Sequence, residues 1–99
     1  MLVVGFGTGG SNDLTARLVA NSLKDVLGQP VLVENRLGAS GNVATRYVAT
    51  SPPDGYRLLL SAGTLAANVS LFPDFKLDPN TALAAVGQVT TYPLYAVVH

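Results

Sequence analysis

A short apolar run that empties straight into glycine limits this chain more than any other feature. Leu2-Val3-Val4 is followed by Gly5-Phe6-Gly7-Thr8-Gly9-Gly10, then by Ser11-Asn12-Asp13 and a long amphipathic segment. Three consecutive apolar residues, two of them β-branched, read as a strand buried on both faces. Four glycines in the next six residues let the backbone turn in almost any direction. After the turn, Ala16, Val19, Ala20, Leu23, Val26 and Leu27 recur at helical spacing, with Arg17 and Lys24 off the stripe. Ser11 or Asn12 is the expected cap, Asp13 suits the positive end of the helix dipole, and Gly28 ends the helix. Leu14 and Leu18 fall on its far side and read as touching a second layer. Pro30 then opens Val31-Leu32-Val33, a second strand of the same kind. Strand, helix, strand is a βαβ unit, which requires a parallel pair.

The alternation continues. Glu34-Asn35-Arg36 reads as a charged loop, structural in role, leading into the glycine-rich Leu37-Gly38-Ala39-Ser40-Gly41. Val43, Ala44, Tyr47 and Val48 line one side of a shorter helix, and Pro52-Pro53-Asp54-Gly55 is a turn. Tyr56 to Leu60 reads as the third strand, with Ser61-Ala62-Gly63-Thr64 at its carboxyl end. Leu65 to Leu71 reads as a short helix. Phe72-Pro73-Asp74-Phe75 and Asp78-Pro79-Asn80 read as irregular connection, and Leu83 to Val89 and Leu94 to Val98 as further strands. The fold class is α/β, βαβαβ with a mostly parallel sheet.

Composition removes several functions. Six Lys plus Arg balance six Asp plus Glu in 99 residues, with no run of either sign, so neither nucleic acid nor an anionic bilayer is an expected partner. There is no cysteine, hence no disulfide, thiol nucleophile or thiolate metal site. The one histidine, His99, has no base or metal-ligand partner beside it, and Asp13, Asp54 and Asp78 occupy helix-end and turn positions. No catalytic constellation, metal site or cofactor is expected. No apolar stretch reaches the roughly 18 residues of a membrane span. The chain ends on the apolar Leu94 to Val98 run without a polar cap, which reads as a trimmed chain.

What remains is backbone chemistry. In open α/β sheets, ligands bind beyond the carboxyl ends of the strands, where loop N–H groups and a helix N-terminus face outward. Gly7 to Ser11 fits that role toward a carboxylate or phosphate. A rival is a dinucleotide-binding enzyme domain, because Gly5-x-Gly7-x-x-Gly10 matches the fingerprint and Glu34 stands where a ribose-binding acid would.

A longer pattern goes further. Val3-Val4-Gly5-Phe6-Gly7-Thr8-Gly9-Gly10-Ser11-Asn12-Asp13, Leu27-Gly28-Gln29-Pro30-Val31-Leu32-Val33-Glu34-Asn35-Arg36, Gly38-Ala39-Ser40-Gly41-Asn42, and Pro53-Asp54-Gly55-Tyr56 with Ser61-Ala62-Gly63-Thr64 stand in order. Together they resemble the Bug, or TctC, family of solute-binding receptors of tripartite tricarboxylate transport. The resemblance implies a type II periplasmic-binding-protein lobe, truncated: residues 1–99 would be the N-terminal part of lobe 1, with the second lobe and the returning segment absent. It implies a non-enzymatic periplasmic receptor, exported on a signal peptide, that closes on a small carboxylated metabolite and delivers it to a membrane permease. By position, Phe6, Gly7, Thr8, Gly9, Gly10 and Ser11 match one cleft loop, Ser61, Ala62, Gly63 and Thr64 a second, and Asn68 the polar residue after it. Two departures stand out. The family usually carries prolines where this chain has Gly5, Gly7 and Thr8, implying a looser loop. A histidine often follows the Gly-Thr pair, where this chain has Leu65, implying either the loss of a polar ligand contact or a preference for a less polar solute. A half-lobe with exposed apolar surface is also expected to self-associate through Leu94 to Val98.

Overall fold

The structure is a computed structural model and describes all residues from Met1 to His99. Three short strands, β1 (Leu2–Val4), β2 (Val33–Asn35) and β3 (Leu58–Leu60), form a parallel sheet in the order β2-β1-β3. Leu2 is in register with Val33 and with Leu58, so the strands start and stop level with one another. The connections are α1 (Ser11–Leu27), α2 (Asn42–Ala49), α3 (Thr64–Leu71) and a single turn, α4 (Pro79–Ala82). A 3₁₀ turn over Ala39–Gly41 precedes α2.

Side chains alternate across the strands, and each face acquires a helix. Leu2 and Val4 point toward α1 and pack with Ala16 and Ala20, with Val33, Leu58 and Leu60 around them. Val3 is wholly buried, as is Ala44 on α2, which lies across β1 and β3. The continuous apolar reading of Leu2-Val3-Val4 is therefore correct: β1 is the central strand and is covered on both sides.

Several boundaries differ from expectation. The second strand is Val33–Asn35, not Val31 to Val33, and Glu34-Asn35 belongs to it rather than to a loop. The Leu32 carbonyl accepts from the Leu2 N–H, and the Arg36 N–H donates to Val4, so the ladder is set by β1 and runs past the apolar residues. The third strand is trimmed from Tyr56 to Leu58 for the same reason. Asp78-Pro79-Asn80 opens a helical turn: the Asp78 side chain caps it by accepting from the Asn80 N–H at 2.9 Å.

The expected stripe is buried over only part of α1. Ala16 and Ala20 are buried, but Val26 is 81% and Leu27 60% exposed. A three-residue strand spans about 10 Å and a 17-residue helix about 25 Å, so the sheet supports α1 over less than half its length. Leu14 and Leu18 are exposed on the other face, with no second layer against them. The expected caps also change: Gly10 is the cap residue, without a side-chain bond, and Ser11 is already inside the helix. Gly28 ends α1 in the left-handed conformation, as expected of a C-cap glycine.

Leu83 to Val89 and Leu94 to Val98 are not strands. Residues 84 to 99 enter no backbone–backbone hydrogen bond. A strand exists only against a ladder partner, and an apolar pattern supplies a face without supplying that partner.

Candidate functional site

Because the strands are parallel and level, the loops that follow them emerge together at one edge of the sheet. The first two touch backbone to backbone. A Cβ on Gly5 would lie 2.7 Å from the Gly41 Cα, so only glycine allows this approach, and the Phe6 ring covers Gly41 from the other side. The second loop takes an unusual path: Gly38, Ala39, Ser40 and Gly41 all have positive φ, with Ala39 at 47° and Ser40 at 55°. Left-handed alanine and serine each cost on the order of 1 kcal/mol or more and persist only where their surroundings hold them. Here Asn68, reaching from α3, donates to the Ser40 carbonyl at 2.9 Å, and the Thr45 hydroxyl donates to the Gly41 carbonyl at 3.0 Å. The same Asn68 amide nitrogen also donates to the Asn42 side-chain oxygen at 2.8 Å. Asn68 is 3% exposed. The third loop's helix thus holds the second loop, and the second loop abuts the first.

The first loop is held from the opposite side by Asp13. Its carboxylate is buried and accepts from the Gly9 N–H at 2.8 Å, from Arg17 Nε at 3.0 Å and from Asn35 Nδ2 at 3.0 Å. These donors, the Gly9 N–H foremost, then Arg17 and Asn35, lower its pKa from 3.8 to about 2. Asn35 Nδ2 donates to the Phe6 carbonyl as well, at 3.0 Å. The expectation of a first-turn surface charge misses this, and neither Asp13 nor Asn35 stands among the expected site residues. Their signals were present but faint: an acid at the third helical position can reach back to the loop N–H groups, and Asn35 shares the parity of Val33, hence the α1 face.

The expected site residues divide into two kinds. Gly7, Thr8, Gly9, Gly10 and Ser11 are exposed, and the Gly7 and Thr8 N–H groups donate to no protein acceptor. Ser61, Gly63 and Thr64 are exposed at the end of β3, with Ala62 half-buried between them. Phe6 is half-buried and packs inward, and Asn68 is buried and uses its amide nitrogen to hold the second loop. The first six residues and the Ser61 to Thr64 segment start from adjacent strands, since Val4 is in register with Leu60.

The dinucleotide pattern meets a different environment. The first fingerprint glycine, Gly5, is buried against Gly41 and Ala44. Glu34 forms an ion pair with Arg36, whose guanidinium lies 3.5 Å from the Tyr47 ring centroid. β3 lies beside β1, whereas the 3-2-1 order of dinucleotide-binding sheets puts it beyond β2. A groove of about 740 Å³ between α1 and Pro30–Val33, lined by Leu14 and Leu18, lies away from the three loops.

The comparisons agree with this geometry. Residues 15–99 match the family model described as the tripartite tricarboxylate transporter family receptor. Protein BugT of Bordetella pertussis is 43% identical over 100 residues, covering 99% of this chain and 31% of its own. The structure of MatC from Rhodopseudomonas palustris with bound malate superposes with a TM-score of 0.76 at 41% identity, covering 82% of this chain and 28% of that one. The structure of the periplasmic binding protein BugD gives 0.57 at 46% identity over 59% of this chain and 19% of its own. The chain therefore spans under a third of the length of these relatives. With its parallel sheet, its glycine-rich first loop and this match, the chain belongs to the tripartite tricarboxylate transporter receptor family, the Bug or TctC proteins.

Proposed function

We propose that this chain is the ligand-facing N-terminal part of lobe 1 of a two-lobe periplasmic receptor for a small carboxylate. The observation that carries the proposal is the edge itself: the unpaired N–H groups of exposed Gly7 and Thr8, the N-terminus of α1, and the Ser61 to Thr64 loop all lie beyond the ends of adjacent parallel strands. A carboxylate suits that edge. Helix N-termini and loop amides favour negative charge, and the local donors already hold the Asp13 carboxylate ionised. Arg17, 3.0 Å from Asp13, offsets the charge that Asp13 would otherwise turn toward an incoming anion. The bound malate of MatC is a ligand of the same class.

In this reading Phe6 to Ser11 and Ser61 to Thr64 form one wall of the cleft, and a second lobe closes on the ligand from outside these residues. The receptor hands the solute unchanged to a membrane permease, and no residue here performs chemistry on it. Leu65, half-buried in the first turn of α3, favours a longer, less polar dicarboxylate. Isothermal titration of the complete gene product with malate, citrate, adipate and benzoate tests this. Saturable binding of a dicarboxylate, with the ligand recovered unaltered, is expected. Absence of heat across the panel, with no co-purified carboxylate, overturns it.

A further inference from the structure

We infer that Asn35 is a positioning residue of the carboxylate site, acting together with Asp13 to fix the first loop before ligand arrives. The inference rests on the receptor reading above and assigns a role to two residues that do not face the ligand. The first loop has a particular difficulty: four of its six residues are glycine, the residue that loses most conformational freedom on ordering. Left to itself, such a loop would have to be ordered by its ligand, at the expense of affinity.

The structure removes that cost from outside the loop. Asn35 is the last residue of β2, inside the hydrogen-bonded sheet. Its Nδ2 sends one bond to the Phe6 carbonyl and one to Asp13 Oδ1, each 3.0 Å long. Asp13, anchored in the first turn of α1, takes the Gly9 N–H on its other oxygen at 2.8 Å. The loop is thus pinned at Phe6 and at Gly9, two points on either side of Gly7 and Thr8. Those two residues carry the N–H groups that find no acceptor in the protein. One amide–carboxylate pair, the carboxylate buried, therefore fixes the stretch that offers free donors while supplying none of them itself. Both groups are spent: Asn35 Nδ2 makes two bonds and Asp13 three. A direct ligand contact by either would break the pin.

The decisive experiment uses the complete gene product as wild type, Asn35→Ala, Asp13→Asn and the double variant. Amide hydrogen exchange of the free protein at residues 6–10 is measured beside malate and adipate affinity by titration. Expected are faster exchange confined to this loop in each variant, and affinity weakened roughly ten-fold, the scale of ordering one residue. The double variant should be hardly worse than either single one, because Asn35 and Asp13 are bonded to each other and the loss of either loosens the hold of the other. Unchanged loop exchange in both single variants overturns the inference, whatever the ligand does. Faster exchange with unchanged affinity overturns it too, leaving the pair a purely structural tie. If wild type binds none of malate, citrate, adipate and benzoate and carries no co-purified carboxylate, the receptor reading falls, and the positioning role falls with it even where the exchange data show a pinned loop. Additive losses in the double variant would mean separate roles and also refute it. Asp13→Asn preserves shape, so the test survives if Asn35→Ala fails to fold.

Discussion

At the scale of single residues, Asp13 organises more of this molecule than its position suggests. A carboxylate in the first helical turn is usually worth a few tenths of a kcal/mol through the helix dipole. Here it is buried and satisfied by a loop amide, a guanidinium and a side-chain amide. Its pKa is depressed in the folded state, so the unfolded chain binds the proton more readily. The stabilisation from ionised Asp13 is therefore complete above its ordinary value near 3.8 and is lost as pH falls through about 2. Thermal unfolding followed between pH 5 and pH 2 should show the midpoint falling across that window. Asp13→Asn should flatten the fall. An equally steep fall in Asp13→Asn would place the effect on other carboxylates.

Among the elements, the loops matter more than the helices, and glycine shows why. Gly5 and Gly63 look interchangeable in the sequence, each following an apolar run. Gly5 meets the backbone of the second loop, with Gly41 Cα 2.7 Å from where a Cβ would stand. Gly63 has nothing within 4 Å and ordinary helical dihedrals, φ −55° and ψ −20°. Gly5→Ala should therefore cost about 1–3 kcal/mol, because backbone must shift to admit the methyl group. Gly63→Ala should be neutral or stabilise by about 0.5 kcal/mol, by restricting the unfolded chain. Urea unfolding of both variants checks the pair, and equal effects would contradict the contact between the first two loops. The left-handed Ala39-Ser40 turn belongs to the same scale: Asn68 holds its Ser40 carbonyl, and Thr45 holds the Gly41 carbonyl that follows.

For the whole molecule, 13 of 99 residues are buried, and Leu14, Leu18, Leu32, Val97 and Val98 are all more than half exposed. A surface this apolar, on a sheet with two unpaired edges, invites association. The 99-residue chain on its own is expected to self-associate, with a mass in light scattering that rises with concentration; a constant monomer mass would contradict this. Residues 84 to 99 are the natural participants, since their backbone groups are free of any internal ladder.

The same scale separates what sequence carries from what it does not. Strand, helix and glycine order were legible because they rest on local physics: an apolar run is buried, a 3.6-residue stripe forms a helix, and a glycine cluster turns. Family membership was legible too, through four ordered motifs spread over most of the chain. Strand ends were not, because the ladder with β1 selects Val33–Asn35 over Val31 to Val33 and drops Tyr56 and Arg57. Nor were the lengths of the buried stripe on α1 or the absence of strands after Leu83, which depend on how much sheet exists to pack against or pair with. Asp13 and Asn35 are 22 residues apart and their bond is invisible in the chain. By itself the sequence determined the order of strand, helix and turn from β1 to α3, since those preferences act between near neighbours. Only the tertiary structure decided which loop is pinned, by which residues and with which amides left free, because hydrogen bonds across β1, β2 and α1 form only once the sheet has brought distant residues together.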